Sequence, residues 1–308
     1  MNTVRTTAVV VVTFNRRVLL EKCISALMSQ SAAFEHLILI DNASTDGTRG
    51  WVRESGLTDD PRVDYICLES NKGGAGGFAA GLAKAVELGA DWAWIMDDDA
   101  EPHANALEEL LSVAVEPGHI YGSLAVSGEE TSWTTTLVGE TRRTVERAAD
   151  VPASSQVQSL PFLGFMIHRE TISRIGLPDT GYFIAADDIE YCLRAERAGV
   201  KIIIAGKSRI EHPKSQRYLA RLPGKPMICL QLPPWKRYYD TRNRLLIARK
   251  YYGFRLLTHT IPGSFVRLTA ALLSEPRKLA QLWAFSAGFL DGLLGLKGRR
   301  HAKWGISQ

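Results

Sequence analysis

Short apolar runs alternate along this chain with segments whose apolar residues return every three or four positions. "TAVVVVTFN" (Thr7 to Asn15) is β-branched and uncharged, which predicts a strand buried on both faces. In "RRVLLEKCISALMSQ", Leu19, Leu20, Cys23, Ile24 and Leu27 sit at helical spacing. "HLILIDNASTDGT" is a second buried strand that ends in a polar turn, and a helix follows it. Then come the strand "VDYICLES", a glycine-rich turn, the helix "FAAGLAKAVELG" and the strand "DWAWIMDDD". Strands alternating with helices predict a mostly parallel, doubly wound α/β sheet. Ligands of such sheets bind beyond the carboxyl ends of the strands. Three polar clusters lie at those ends, Thr13 to Asn15, Asp41 to Asp46 and Asp97 to Asp99, and they should meet in one crevice.

Residues 120 to 160 are less regular and read as a hairpin or a loop. "FLGFMIHRETISRIG" restores the strand-then-helix pattern. "YFIAADDIEYCLRAERAG" is a turn and a helix closed by Gly199, and "KIIIAG" is another strand. Past Pro276 a helix is expected with Leu279, Leu282, Trp283, Ser286, Leu290 and Leu293 on one side. Its uncharged stretch is too short to span a bilayer. That helix either packs on the core or lies in a membrane interface. The pattern divides the chain into a catalytic domain over 1–255 and a helical extension over 256–308.

Charge sharpens this picture. The chain has 308 residues and a net charge of only +4, but residues 201–308 carry 21 Lys and Arg against 4 Asp and Glu, while residues 1–200 carry 16 against 29. A basic back half implies an anionic partner. The four cysteines form no C-x-x-C, which excludes a zinc ribbon and fits a reducing compartment. No export signal is visible, and no P-loop.

Three adjacent carboxylates in "WIMDDDAEP" repel one another. Asp97 and Asp99 point the same way on an extended segment and could share a hard divalent cation. Equally, they could form a solvated acidic loop before a helix. "NKGGAGGFAAG" holds Gly74, Gly76 and Ala79 in a G-x-G-x-x-A pattern, either a weak dinucleotide fingerprint or a plain phosphate-cradling turn. Asp187 and Asp188 are helix-capping residues or a general base. His212, just after a strand, is structural or a metal ligand. "WKRYYDTRNRLLIARKYYG" interleaves aromatics with arginines. It is either a cationic helix face or an acceptor surface, with Trp235, Tyr239 and Arg242 as candidate acceptor contacts together with Asp187.

The ordered set T-F-N, D-N-A-S-T-D, N-K-G-G-A-G-G, D-D-D, D-D-x-E and a late His resembles the family-two inverting glycosyltransferases of GT-A fold, over about residues 7–250. "GGAGGFAAGLAKAVELGADWAWIMDDD" and "YYDTRNRLLIARK" look most like bacterial galactofuranosyltransferases acting on lipid-linked glycans, with rhamnosyltransferases using dTDP-rhamnose next. The resemblance implies that Thr13, Phe14, Asn15, Asp41, Asn71, Lys72, Gly73, Gly74, Asp97 and Asp98 handle a UDP-linked donor. It implies that Asp97, Asp99 and His212 hold Mn²⁺ or Mg²⁺, and that Asp188 is the base. The family's Glu-Asp pair is Asp187-Asp188 here. Partners would be UDP-galactofuranose, a lipid-linked glycan and an anionic membrane surface at the cytoplasmic face. Nucleic acid is not among them, and a homo-oligomer is left open. Two rivals stay in view, a nicotinamide oxidoreductase and a non-enzymatic anion- or membrane-binding protein. Neither explains the strand-end carboxylates.

Overall fold

The computed structural model describes residues 5–220 and 226–307. It forms two compact units. One is Met1–Asp179 with Tyr191–Lys214, the other Thr180–Glu190 with Ser215–Gln308. This division differs from the boundary expected near residue 255.

The first unit opens with β1 (Thr7–Thr13), α1 (Arg17–Met28), β2 (His36–Asp41), α2 (Thr48–Glu54), β3 (Val63–Cys67), α3 (Gly73–Glu87) and β4 (Trp92–Asp97). These match the alternating pattern in the sequence. β5 (Glu101–Pro102), α4 (Ala106–Val113), β6 (Ile120–Ser127), β7 (Glu130–Leu137), β8 (Arg143–Arg147) and β9 (Ser155–Gln156) follow. β10 (Leu163–His168), α5 (Arg169–Ile175), α6 (Asp187–Arg197) and β11 (Ile202–Glu211) complete it, although α6 starts among residues of the second unit. The main sheet runs β3-β2-β1-β4-β10-β6-β11-β5. β1 pairs in parallel with β2 and β4, and β6 with β11. β10 lies antiparallel between β4 and β6, and β6, β7 and β8 form the antiparallel meander that the polar alternation of residues 120–147 allowed.

Alternation along β1 explains its all-apolar sequence. Ala8, Val10 and Val12 enter one core with Phe78 and Leu82 of α3. Val9 and Val11 enter another with Leu20, Cys23 and Leu27 of α1. A strand covered on both faces has no place for a charge until it ends, so the polar residues gather at its carboxyl end.

The second unit holds β12 (Arg217–Ala220), β13 (Met227–Leu230), α7 (Pro234–Tyr251), a π-helical turn at Leu256–Thr260, α8 (Ile261–Ser274) and α9 (Lys278–Leu294). α9 approaches α7 through small residues. A Cβ on Gly288 would stand 2.4 Å from the Tyr238 carbonyl oxygen, and one on Gly292 2.8 Å from Leu245 Cβ. Asp291 is buried in this contact and accepts from Tyr238 Oη (2.5 Å), Arg300 Nε (2.8 Å) and Trp304 Nε1 (3.1 Å). The opposite side of α9 carries Leu279, Leu282, Trp283, Leu290 and Leu293, all exposed, Leu279 at 84%. One side of α9 thus packs on α7, and the other is exposed. Among the described residues no helix is long and apolar enough to cross a membrane.

Candidate active site

The carboxyl ends of β1, β2 and β4 converge as their polar clusters predict. Asn15 takes a left-handed φ of 53°, a conformation that Asn tolerates better than most residues. Its amide donates to Ser44 Oγ (2.9 Å), and its Oδ1 accepts from the Thr45 amide (2.6 Å). Thr13 Oγ1 donates to Asp98 Oδ2 at 2.7 Å. Asp98 is buried, and burial pushes its carboxyl up to about 6 against the pull of Arg16 and Thr13. β4 ends at Asp97, so Asp98 and Asp99 lie in a turn rather than on the extended segment expected, and both reach Arg16.

The cation beside the triplet is Arg16, a residue the sequence reading did not single out. Its Nη1 lies 2.7 Å from Asp99 Oδ2 and 3.3 Å from Asp98 Oδ1. A positive residue immediately after the T-F-N turn, at the same sheet edge as three carboxylates, was the available signal. Burial works to raise the Asp99 carboxyl, but His212 and Arg16 hold it below the ordinary carboxylate range. His212 Nε2 stands 3.5 Å from Asp99 Oδ1, too far for a good hydrogen bond. Asp99 Oδ1 and His212 Nδ1 are both buried and without hydrogen-bond partners. Such orphans are costly unless something else satisfies them. The Asp99 oxygen and the His212 Nε2 that faces it fit a divalent cation of the Mn²⁺ or Mg²⁺ kind. The structure brings Asp99 and His212 together, but among the described residues no three His, Cys, Asp or Glu side chains close into a cage, so half-buried Asp97 does not complete one.

Asp41 departs from expectation. It is fully buried, Oδ2 accepts from Tyr65 Oη (2.6 Å), and Oδ1 accepts from the Ser44 amide (2.8 Å). It shapes the turn and does not open onto the crevice as a base or ribose contact would. Asn42, not foreseen, joins that turn to the glycine-rich one. Its Nδ2 donates to the Gly73 carbonyl (3.3 Å), and its Oδ1 accepts from the Lys72 amide (3.2 Å). Asn71 Oδ1 accepts from the Gly73 amide (2.7 Å), and Gly73 sits at φ +73°. Phe14 and Gly74 are half-buried, and Lys72 is exposed. The later glycines serve packing. A Cβ on Gly77 would meet Val12 Cγ1 at 2.4 Å, and one on Gly81 would meet Val10 Cγ1 at 2.2 Å. Close approach of α3 to β1 thus accounts for Gly77 and Gly81.

In the second unit the chain enters α6 through three non-glycine residues at positive φ, Phe183 (65°), Ala185 (70°) and Ala186 (61°). Each costs about 1–3 kcal/mol. Asn243 restrains this bend. Its Nδ2 donates toward the carbonyls of Tyr182 (3.0 Å), Ile184 (2.9 Å) and Ala185 (2.7 Å), and its Oδ1 accepts from Arg242 Nε (2.8 Å). Arg242 Nη2 donates to the carbonyls of Tyr182 (2.8 Å) and Gly181 (3.1 Å). The bend delivers Asp187 and Asp188 side by side at the first turn of α6. Burial raises both carboxyls, and for Asp187 the charge of Asp188 adds to it. Asp188 Oδ1 accepts from the Ile189 amide at 2.8 Å.

This corrects the reading of two acceptor candidates. Tyr239 and Arg242 are fully buried. Tyr239 Oη is bonded to His301 Nδ1 (2.8 Å), and the Arg242 guanidinium lies over the Tyr239 ring (4.7 Å). An arginine with every direction taken by carbonyls and a ring is scaffolding, not a glycan contact. Trp235 is half-buried and packs on Tyr239 and His301. Asn243→Ala is expected to leave buried carbonyls unsatisfied at roughly 1–3 kcal/mol each. The apparent Tm should drop by several degrees while UDP affinity holds, as thermal melts and calorimetry would show.

The model for "Glycosyl transferase family 2" matches residues 8–170. The chain belongs to the family-two glycosyltransferases, and it is a glycosyltransferase. It is 31% identical to the galactofuranosyltransferase GlfT1 of Mycobacterium tuberculosis (strain H37Rv) over 76% of this chain and 79% of that one. With the GlfT1 of Mycolicibacterium smegmatis the identity is 29% over 89% and 91%. A Campylobacter jejuni "GalNAc(5)-diNAcBac-PP-undecaprenol beta-1,3-glucosyltransferase" is 33% identical over 40% of this chain and 39% of its own. Among solved structures, GalNAc-T7 with UDP, GalNAc and Mn²⁺ superposes with a TM-score of 0.65 at 15% identity, covering 96% of this chain and 57% of that one. The chain thus spans little more than half of that protein. The Pyrobaculum calidifontis mannosyltransferase PcManGT, in complex with GDP-Man and Mn²⁺, gives 0.58 at 16% identity over 94% and 88%. These likenesses establish the GT-A fold.

Proposed function

We propose that this enzyme transfers galactofuranose from UDP-galactofuranose to a hydroxyl of a lipid-linked glycan, with inversion and with the help of Mn²⁺ or Mg²⁺. The reaction rests chiefly on one observation: a buried Asp99 Oδ1, without a hydrogen-bond partner among the described residues, facing His212 Nε2 at 3.5 Å at the strand edge of a family-two glycosyltransferase. The galactofuranosyl donor is supported by the two GlfT1 relatives.

Asp99 and His212 would hold the cation. When bound it would stabilise the negative charge that gathers on the leaving diphosphate. Arg16 already supplies positive charge to the same carboxylates. Asp188 accepts the proton of the attacking acceptor hydroxyl, and its raised affinity for protons suits a base working near neutrality. One displacement with one base inverts the anomeric carbon. A panel of nucleotide sugars, including UDP-galactofuranose and dTDP-rhamnose, with and without EDTA tests this. Transfer from another donor, or transfer indifferent to EDTA, would overturn the corresponding part.

The same reading sets the enzyme peripherally at the inner face of the cell membrane. Leu279, Leu282, Trp283, Leu290 and Leu293 offer an apolar side, and Lys297, Arg299 and Lys303 follow it. Arg300, expected among these cations, is instead committed to Asp291. Each basic residue near an anionic leaflet contributes about 1 kcal/mol. The protein is expected to sediment with anionic vesicles at low salt and to leave them at high salt. Leu279→Glu with Leu290→Glu should abolish sedimentation and spare UDP binding. Sedimentation that survives both changes would refute the interfacial helix.

A further inference from the structure

Arginines of the second unit gather around a cleft that the transfer chemistry above does not use. Its volume is about 340 Å³, within reach of small-molecule sites. It is lined by Ala186 and Ile189 beside the start of α6, Arg244 and Ile247 of α7, Tyr252, Arg255, His259 and Thr260 of the following turn, and Arg267 of α8. No carboxylate is among these described lining residues. Arg244 Nε is held by Asp240 at 2.8 Å. Arg267 has only a hydrogen bond from Nη2 to Ser264 Oγ (3.1 Å) and no acidic partner among the described residues. Its guanidinium is pulled down to about 10 by burial and then by the nearby charge of Arg244. Asp240, paired with Arg244, offsets only part of this, so a further anion beside Arg267 would be stabilised.

The turn at the cleft is unusual in its backbone. Leu256–Thr260 is π-helical and runs into Pro262 of α8. Proline offers no amide for the helical ladder, and a shifted ladder is one way around it. Such turns recur at functional positions. Here it turns His259 and Thr260 to the cleft, while Phe254 (76% exposed) and Leu257 remain outside. Cationic lining thus adjoins uncovered apolar side chains along a single short stretch. Ala186 and Ile189 also flank Asp187 and Asp188 in the chain, so a ligand in the cleft would lie next to the proposed base.

We propose that this cleft binds the diphosphate through which a lipid-linked acceptor carries its glycan, with Arg267 and Arg255 gripping the phosphates and the lipid leaving over Phe254 and Leu257. The proposal rests on the acceptor reading given above. It is supported by a relative whose name includes a diphosphate-linked undecaprenol glycan. Guanidinium groups suit the task because their planar forks bind phosphate oxygens in pairs.

The full-length protein is tested with Arg267→Gln and, at an exposed position whose side chain packs little, Arg255→Gln. Neutral phosphatidylcholine vesicles with and without undecaprenyl diphosphate read binding directly, whether or not transfer occurs. The wild type should bind only the doped vesicles, and each variant should weaken this at least tenfold, with Arg267→Lys recovering part of it. In the Leu279→Glu, Leu290→Glu background, which removes the α9 attachment, phosphatidylglycerol vesicles separate the headgroup of an ordinary anionic lipid from a diphosphate. Transfer kinetics then compare one glycan on a diphosphate lipid with the same glycan on a neutral alkyl chain, and the wild type's preference in KM should collapse about tenfold in the variants. The proposal fails if the doped vesicles bind wild type and variants alike, if phosphatidylglycerol competes equally, or if the KM preference is unchanged. Absence of transfer to either acceptor, with diphosphate binding intact, would instead refute the acceptor reading and leave the cleft standing.

Discussion

Asp188→Asn is expected to lower kcat by about 10²-fold or more while UDP affinity stays the same. The amide keeps the size of the carboxylate and its contact with the Ile189 amide, but it cannot take a proton. A second result should accompany it. Burial raises the Asp188 carboxyl, so the folded state keeps its proton at pH values where the unfolded chain has lost it. Stability therefore declines as pH climbs from about 4, the ordinary carboxylate value, through the raised one. The amide variant escapes that decline and should melt higher than wild type at neutral pH. For the wild type, the acid limb of kcat/KM should lie above the range of an exposed aspartate. Full activity in the variant would remove Asp188 from the reaction. A variant less stable than wild type at neutral pH would show that the charge was not the burden.

Asp99→Ala should abolish the effect of Mn²⁺ on UDP binding and weaken metal-supported affinity at least about tenfold, the worth of one charge-assisted contact. Stability should hardly change. The ion pair to Arg16 is partly exposed on the arginine side, and pairs of that kind contribute about 0–1 kcal/mol. Taking one carboxylate out of a self-repelling triplet offsets some of that. Calorimetry of UDP with Mn²⁺ and with EDTA measures it. Equal affinity under both conditions in the wild type would dismiss the cation, and a large loss of Tm would make Asp99 structural.

Much of the first unit could be read from the chain. β1, β2 and β4 are runs without charge that stop in polar clusters, and burial on both faces leaves no other pattern. The antiparallel setting of β10 could not be read, because an apolar strand looks the same in either direction. The boundary of the units was missed for a related reason. Thr180–Glu190 belongs with the later helices, and the bonds from Arg242 and Asn243 to its carbonyls are made by residues 60 positions away. Local pattern offers no hint that an arginine among tyrosines will be fully enclosed. The site was half legible. Asp98, Asp99, Thr13 and His212 stand together, and Asp187 and Asp188 are paired at a helix start. Asp41 deceived because its strand-end position is right while Tyr65, from the neighbouring strand, closes it off.

The glycine seam between α9 and α7 has a consequence for how this chain can vary over time. Gly288 and Gly292 leave no room for a methyl group, and Asp291 between them anchors three donors. Drift is therefore blocked on that side of the helix, whereas the leucines on the other side can exchange with any greasy residue. Deleting α9 would be a poor test of the proposed lipid attachment, because it would also strip the support from the helix that holds Asn243. Relatives without such an attachment should keep the helix and both glycines, and lose only the leucines.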